Sequence, residues 1–455
     1  MVCLALSLFS QRRWRVNNQI KGAQRIAVIG GGISGLAAAY LFQQEHEVHL
    51  FEAEGRLGGH ANTVLAGRDN AAVDTGFIVF NELNYPNLTN LFRHLGVDVA
   101  DSEMTLSVKF KKPDFEWGGT SIATLIAQKR NLLRPKFWRM VRDILRFHRE
   151  AAQNLQLASH GRWTLGDLLK KQNYSRAFID WYLIPMGAAI WSTPTDIMFE
   201  FPAETFLQFC MNHRLLQVDD RPMWKTVRGG SQSYVKKLAA RLKNIHSGYS
   251  VDQVIRKASG GADLITRGEK LHFDHVIFAT HPPQTLKILA DLSDEEREIL
   301  ESFSFQKNIA QLHSDVSFMP KRKSLWSAWN FHQQNDASSM SPVSLSYWMN
   351  RLQPLTTRQE MILSLNAVDT PRDLHHRIEY EHPLFNQRAI AAQRNLADIQ
   401  GKGGVYHCGA WTRYGFHEDG ILSAVNLARA WELPIPWMHG SSRPLQTHAL
   451  AAQGA

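Results

Sequence analysis

Apolar residues in this chain fall into short continuous blocks and longer stretches with helical spacing. Residues 26–29 form a short continuous block, as suits a strand buried on both faces. An Ala- and Leu-rich stretch over 34–43 predicts a helix, and 48–51 predicts a second strand ending at Glu52. Further along, 234–242 and 421–431 predict helices, and 273–280 predicts a strand closed by Pro282-Pro283. After Pro135, residues Phe137, Met140, Val141, Ile144, Leu145 and Phe147 recur at helical spacing. Their segment, 129–150, holds eight Lys/Arg against Asp143 and Glu150. Two readings stay open there: a basic amphipathic helix lying on an anionic membrane, or a solvated basic face over a core-facing stripe. No run of 18 apolar residues occurs, so no segment is expected to span a bilayer.

The first strand and helix are joined by Gly30, Gly32 and Gly35 in G-x-G-x-x-G spacing. Gly30 permits a tight turn, Gly32 lets backbone approach a pyrophosphate, and Gly35 lets helix and strand pack closely. The helix N-terminus then offers N–H groups to the phosphates. Glu52, 22 residues after Gly30, stands where a carboxylate accepts hydrogen bonds from a ribose. The glycines alone are a weak signal; a strand before, a helix after and the closing acid strengthen it. Arg56, Gly58 and Gly59 follow at once, a fork for phosphate and backbone access to a flat ring.

This E-x-x-x-R-x-G-G pattern resembles the flavin amine oxidase superfamily, which includes protoporphyrinogen oxidases and phytoene desaturases. The likeness continues in Asp74-Thr75-Gly76, in 227–231, in 250–254, in 273–280 and in the two turns 406–409 and 415–420. It implies FAD, held without a covalent bond, by Gly30, Gly32, Ser34, Gly35, Glu52, Arg56, Gly58, Gly59, Thr75, Gly76, Val251, Ala279, Gly409, Asp419 and Gly420. Cys408 is the one open candidate for a covalent link. In the family the last turn brings a helix N-terminus to the flavin edge, where its dipole favours the reduced anion. Capping is the plainer reading of His417, Glu418 and Asp419. Lys307 lies roughly where amine oxidases carry a lysine, and Phe416 stands where they often carry Tyr.

A closer resemblance is to a bacterial subgroup associated with cyclopropane fatty acid synthase, on L-H-x-D (312–315), W-x-x-W-N (326–330) and G-F-H-E-D-G (415–420). It implies a lipid substrate. His313, Lys307 and Asp315 are the candidate catalytic residues; a salt-bridge network is the alternative for His313 and Asp315. The aromatic residues Trp181, Trp191, Phe199, Phe201, Phe206 and Phe209 line an apolar slot or simply fill a core.

The resulting expectation is an α/β protein: a doubly wound, Rossmann-like FAD-binding domain interleaved with an α+β substrate domain. Its FAD-binding parts are 23–110, 225–290 and 400–434, its substrate parts 111–224 and 291–399, with a disordered leader 1–22 and tail 435–455. At 455 residues, 44% hydrophobic and 20% charged, the chain has ordinary globular proportions. Three widely spaced cysteines (Cys3, Cys210, Cys408) make neither a disulfide framework nor a zinc site. A net charge of +9 suits an anionic partner, but no groove-reading motif points to nucleic acid. The expected activity is FAD-dependent hydride removal from a small molecule or lipid, first an acyl-chain desaturase or oxidase. The alternatives are an oxidase of soluble amines and a non-catalytic FAD-binding subunit. No second complete G-x-G-x-x-G is present, so electrons are expected to leave to oxygen, a quinone or a protein. The expected place is the cytoplasm, with peripheral contact at the inner membrane through 129–150.

Overall fold

The computed structural model describes residues 22–159, 163–217, 221–333 and 344–438, together with Trp14 and the backbone of 447–448. Five parallel strands form one sheet, in the order Asn244–Ser247, Glu47–Glu52, Arg25–Ile29, His275–Phe278, Val405–His407. Its middle strand is fully apolar after Arg25 because helices cover one face and an antiparallel three-stranded sheet the other. That smaller sheet comprises Gln253–Arg256, Ala262–Thr266 and Glu269–Phe273. The helices Ile33–Phe42 and His417–Ala430 pack together across the first face. A Cβ on Gly35 would sit 1.8 Å from the Gly30 carbonyl oxygen, and one on Gly420 2.9 Å from Ile33 and Ser34 side-chain atoms. Both glycines are therefore demanded by packing.

The second body is a seven-stranded mixed sheet, ordered Leu374–Leu384, Ser304–His313, Ile362–Leu365, Ser344–Trp348, Trp329–Gln333, Leu106–Phe110, Phe115–Gly118. Strand alternation gives it two unlike faces. Leu363, Leu365, Tyr347, Trp329 and Leu106 line a cavity. Beneath the other face runs a buried polar chain: Ser107 donates to Asn330, Asn330 to the Ser346 carbonyl, and the Ser346, Ser364 and His313 side chains follow at 2.8 Å steps. Helices, among them Pro135–Arg149, Ile184–Trp191 and Ala203–Asn212, enclose the cavity side through one large apolar core. A four-stranded sheet, Thr447–His448, Val99–Ser102, Trp224–Val227, Phe80–Asn81, ties in the end of the chain.

Two expectations change. Leu106–Phe110, assigned to the FAD-binding part, pairs instead in the seven-stranded sheet. The tail 435–455 is anchored where described: Trp437 is buried, stacks on Tyr40, and Thr447–His448 pairs with Val99 and Ala100. The rest of that tail, and the leader apart from Trp14, which is buried, and Gly22, which is exposed, lie outside the described residues. The apolar stripe of Pro135–Arg149 faces the core through Phe137, Met140 and Phe147, in keeping with the second of the two readings left open for it, while its Leu145 is exposed.

Candidate functional site

One cavity of about 1170 Å³ opens at the carboxyl ends of the parallel strands and runs beneath the seven-stranded sheet. Ligands of open α/β sheets bind at such strand ends. Its volume exceeds the roughly 300–1,000 Å³ of a single small-molecule pocket, leaving room for a dinucleotide and a second ligand.

The dinucleotide end is built by glycine. Gly30 (φ +107°) donates to the Phe51 carbonyl, which turns the chain, and Gly31 donates to Glu52 Oε2 at 2.6 Å. Gly32 caps the Ile33–Phe42 helix, and a Cβ there would meet no protein atom within 4 Å. No contact within the protein demands that glycine; space for a ligand does. Gly59 (φ +54°) comes next to Gly32, since its Cβ would lie 3.3 Å from the Gly32 Cα. The Arg56 guanidinium donates to the Gly59 and Ala61 carbonyls at 3.0 and 3.4 Å and pairs with Glu54, so it shapes the turn it shares with them. Of the expected cofactor residues, Gly30, Gly32, Ser34, Glu52, Arg56, Gly58, Gly59, Thr75, Gly76, Val251, Ala279 and Gly409 line the cavity. Gly35, Asp419 and Gly420 do not. Two are packing glycines, and Asp419 accepts from the Phe416 N–H at the start of the last helix. This cradle, with its open Gly32 position and helix N-terminus, fits FAD.

At the junction with the inner chamber stand three histidines that the sequence reading missed. His60 stacks on Tyr380 with ring centroids 4.9 Å apart and lies 5.2 Å from His382 and 6.4 Å from His281. The Tyr380 hydroxyl is held by Thr75 at 2.7 Å and Asn62 at 3.0 Å. The His382 Nδ1 accepts from Asn308, and His281 reaches Glu381 at 3.3 Å while stacking on Phe305. Burial holds His60 well below the usual imidazole range and pushes His382 down to about 4, so both are neutral at pH 7. His60 Nε2 is buried without a hydrogen-bond partner among the described residues. The signal for it was local, since His60 follows Gly59 directly.

Beyond the histidines the chamber is apolar and aromatic, lined by Trp117, Tyr182, Trp191, Phe209, Trp329 and Phe416 among others. Of the expected slot residues only Trp191 and Phe209 line it; Phe201 and Phe206 fill the core behind. A π-helical turn, Ile179–Leu183, displaces Tyr182 toward the cavity and leaves the Trp181 carbonyl to accept from Trp117 Nε1 at 3.0 Å. The four carboxylates lining the cavity are all engaged: Glu52 by Gly31 N–H, Glu54 by Arg56, Glu379 by Lys307, Glu381 by His281.

The three expected catalytic residues are not brought to this cavity. Lys307 is 68% exposed, and its hydrogen bond to Glu379 at 2.8 Å raises its pKa, which keeps it protonated. His313 belongs to the polar chain on the far face of the sheet, where burial lowers it to about 4. Burial would raise Asp315, but bonds from Ser317 and Arg372 outweigh that and hold it low; it lies two residues past the Ser304–His313 strand and caps the next turn. Cys408 is buried outside the cavity lining, its thiol pushed up to about 12 by burial.

Comparison with known proteins agrees with this architecture. The model of the family described as "Flavin containing amine oxidoreductase" matches residues 33–430. Over 75 residues the chain is 37% identical to protoporphyrinogen oxidase 2, chloroplastic/mitochondrial, of Arabidopsis thaliana, a match spanning 16% of this chain and 14% of that protein. The fold is similar to that of a CLA-producing fatty acid isomerase from P. acnes (TM-score 0.65, 14% identity, 90% of this chain and 99% of that one). It is equally similar to cyclohexylamine oxidase from Brevibacterium oxydans IH-35A (TM-score 0.65, 16% identity, 90% and 100%).

Proposed function

Because the chain belongs to the flavin-containing amine oxidoreductase family, and so is an FAD-dependent oxidoreductase, we propose that it oxidises an uncharged, acyl-chain-like substrate in the aromatic chamber. The fold does not choose between substrates, since proteins named for a fatty acid and for an amine share it. The lining does. A desolvated ammonium ion is stabilised most by a carboxylate free to pair with it, and among the described residues each carboxylate lining this cavity is already paired or hydrogen-bonded. That pairing is the observation that carries the reading. The resemblance of 312–315, 326–330 and 415–420 to the bacterial subgroup associated with cyclopropane fatty acid synthase points the same way.

Bound FAD supplies hydride acceptance at its N5. The chain supplies the rest. Gly30, Gly32 and Gly59 give the dinucleotide backbone access, and the Ile33–Phe42 helix start faces its phosphates. Aromatic walls orient an apolar chain and exclude water. An acyl chain has no lone pair to assist hydride loss, so a proton must also leave an activated carbon. His60 Nε2 stands at the junction of the two halves, is held neutral by burial and has no partner among the described residues, and it takes that proton; Tyr380 fixes the ring by stacking. Electrons then pass to oxygen, a quinone or a protein acceptor.

The test is anaerobic mixing of the FAD-loaded protein with unsaturated acyl lipids and, separately, with primary amines, following loss of flavin absorbance. Reduction by an acyl lipid, slowed at least about 100-fold in His60→Gln with flavin retained, is expected. Reduction by amines alone makes the chain an amine oxidase, and no reduction by either class makes it a non-catalytic FAD-binding subunit.

A further inference from the structure

From the outer surface near Trp117 we infer that this protein docks on an anionic lipid bilayer through the segment 119–149. The observation differs from the expectation that the stripe of the basic helix does so. Most of that stripe faces the core, and apart from its Leu145 the exposed apolar residues lie outside it. Ile122 is 78% exposed, Leu133 86% and Trp138 51%, with Leu132 and Leu145 also exposed. They form one structure. Trp138 Nε1 donates to the Leu132 carbonyl at 2.9 Å, and Asn131 and Gln128 bind backbone groups of Glu116, so the 119–134 stretch is strapped to the Phe115–Gly118 strand. Trp138 and Leu145 are seven residues apart on the Pro135–Arg149 helix and share its outward face.

Charge selects the occupant. Lys129, Lys136 and Arg139 are exposed and have no carboxylate partner among the described residues. The local carboxylates are taken: Asp114 by Arg130, buried Asp143 beneath Arg142, Glu150 by Arg146. A second copy of the chain docking on this patch by two-fold symmetry would bring one set of unpaired cations up to the other, which is repulsive. Anionic headgroups would pair with them, while the leucines, Ile122 and the Trp138 ring sit at the acyl boundary. Gly119 and Thr120, beside the patch, line the cavity, as does Trp117. Docked this way, the chamber mouth meets the bilayer surface. The docking itself does not rest on the acyl-chain reading, though it would serve it.

The experiment is sedimentation of the FAD-loaded full chain with vesicles of phosphatidylcholine alone, or with about one third phosphatidylglycerol. Binding only to the anionic vesicles, weakened by salt, is expected. Each cation near such a surface is worth about fivefold in partitioning, so Lys136→Glu/Arg139→Glu should lose about twentyfold or more. Leu133→Asp and Trp138→Asp alter exposed side chains, so the fold and bound flavin should persist while partitioning falls about tenfold. Equal binding to both vesicle types, or none, overturns the inference. So does wild-type partitioning by Leu133→Asp and Lys136→Glu/Arg139→Glu. A concentration-dependent dimer abolished by Leu133→Asp would assign the patch to a second copy instead. Vesicle binding without flavin reduction by lipid would leave docking intact and remove the acyl-chain substrate alone.

Discussion

Gly32 and Gly35 stand one helical turn apart and lack side chains for opposite reasons. At Gly35 a Cβ would strike the Gly30 carbonyl; at Gly32 it would point into open space. Gly35→Ala should therefore cost at least about 3 kcal/mol and yield little folded protein. Gly32→Ala should melt like the wild-type apoprotein yet purify with little flavin, which circular dichroism and the flavin-to-protein absorbance ratio would read together. The groove was legible in the sequence for this reason, since a tight turn and a close ligand approach impose residue types locally. His60 carried only a weak local signal, because nothing in Gly58-Gly59-His60 says that Tyr380 and His382 arrive beside it from more than 300 residues away.

Among the elements, strand pairing decided what sequence could not. Lys307 and Phe305 lie on one strand two residues apart, yet Phe305 lines the cavity while Lys307 meets Glu379 of the neighbouring strand in solvent. Spacing alone suggested Lys307 and His313; which end and which face of the sheet they occupy depends on partners the chain reaches only by folding. The helix pair at the flavin end offers a test of its own. Glu418, at the start of the last helix, accepts from Asn87 and Leu88 at the start of Pro86–Leu95, so one carboxylate joins two helix N-termini. Burial still wins over those bonds and raises it to about 7. A raised carboxyl favours the folded state below its unfolded value of 4.5, and that advantage is lost as pH rises through 7. Glu418→Gln removes the titration. Its urea midpoint should gain on the wild type between pH 5 and pH 8.

At the scale of the molecule, buried histidines outnumber such carboxylates among the described residues. Burial lowers His148, His213, His313 and His382 to about 4, and His332, His407 and His417 to about 3, with His60 also well below 6.5. Against them Asp74 and Asp419 rise to about 6, and Glu418 to about 7. The unfolded chain binds more protons than the folded one between pH 6.5 and 4, so stability holds above 6.5 and falls on acidification through that window. Denaturant midpoints at pH 7.5, 6 and 5 should drop in that order. The order of strands in the parallel sheet has a further consequence, in time. The groove draws on Gly30, Ala279 and Gly409, and its edge strand is Val405–His407. At about 5–20 residues per second a ribosome needs roughly 20 to 80 seconds between the first of those glycines and the last. Throughout that interval the nascent chain carries a half-built cradle and an uncovered sheet edge, so the complete FAD cradle exists only once the Val405–Gly409 segment has emerged.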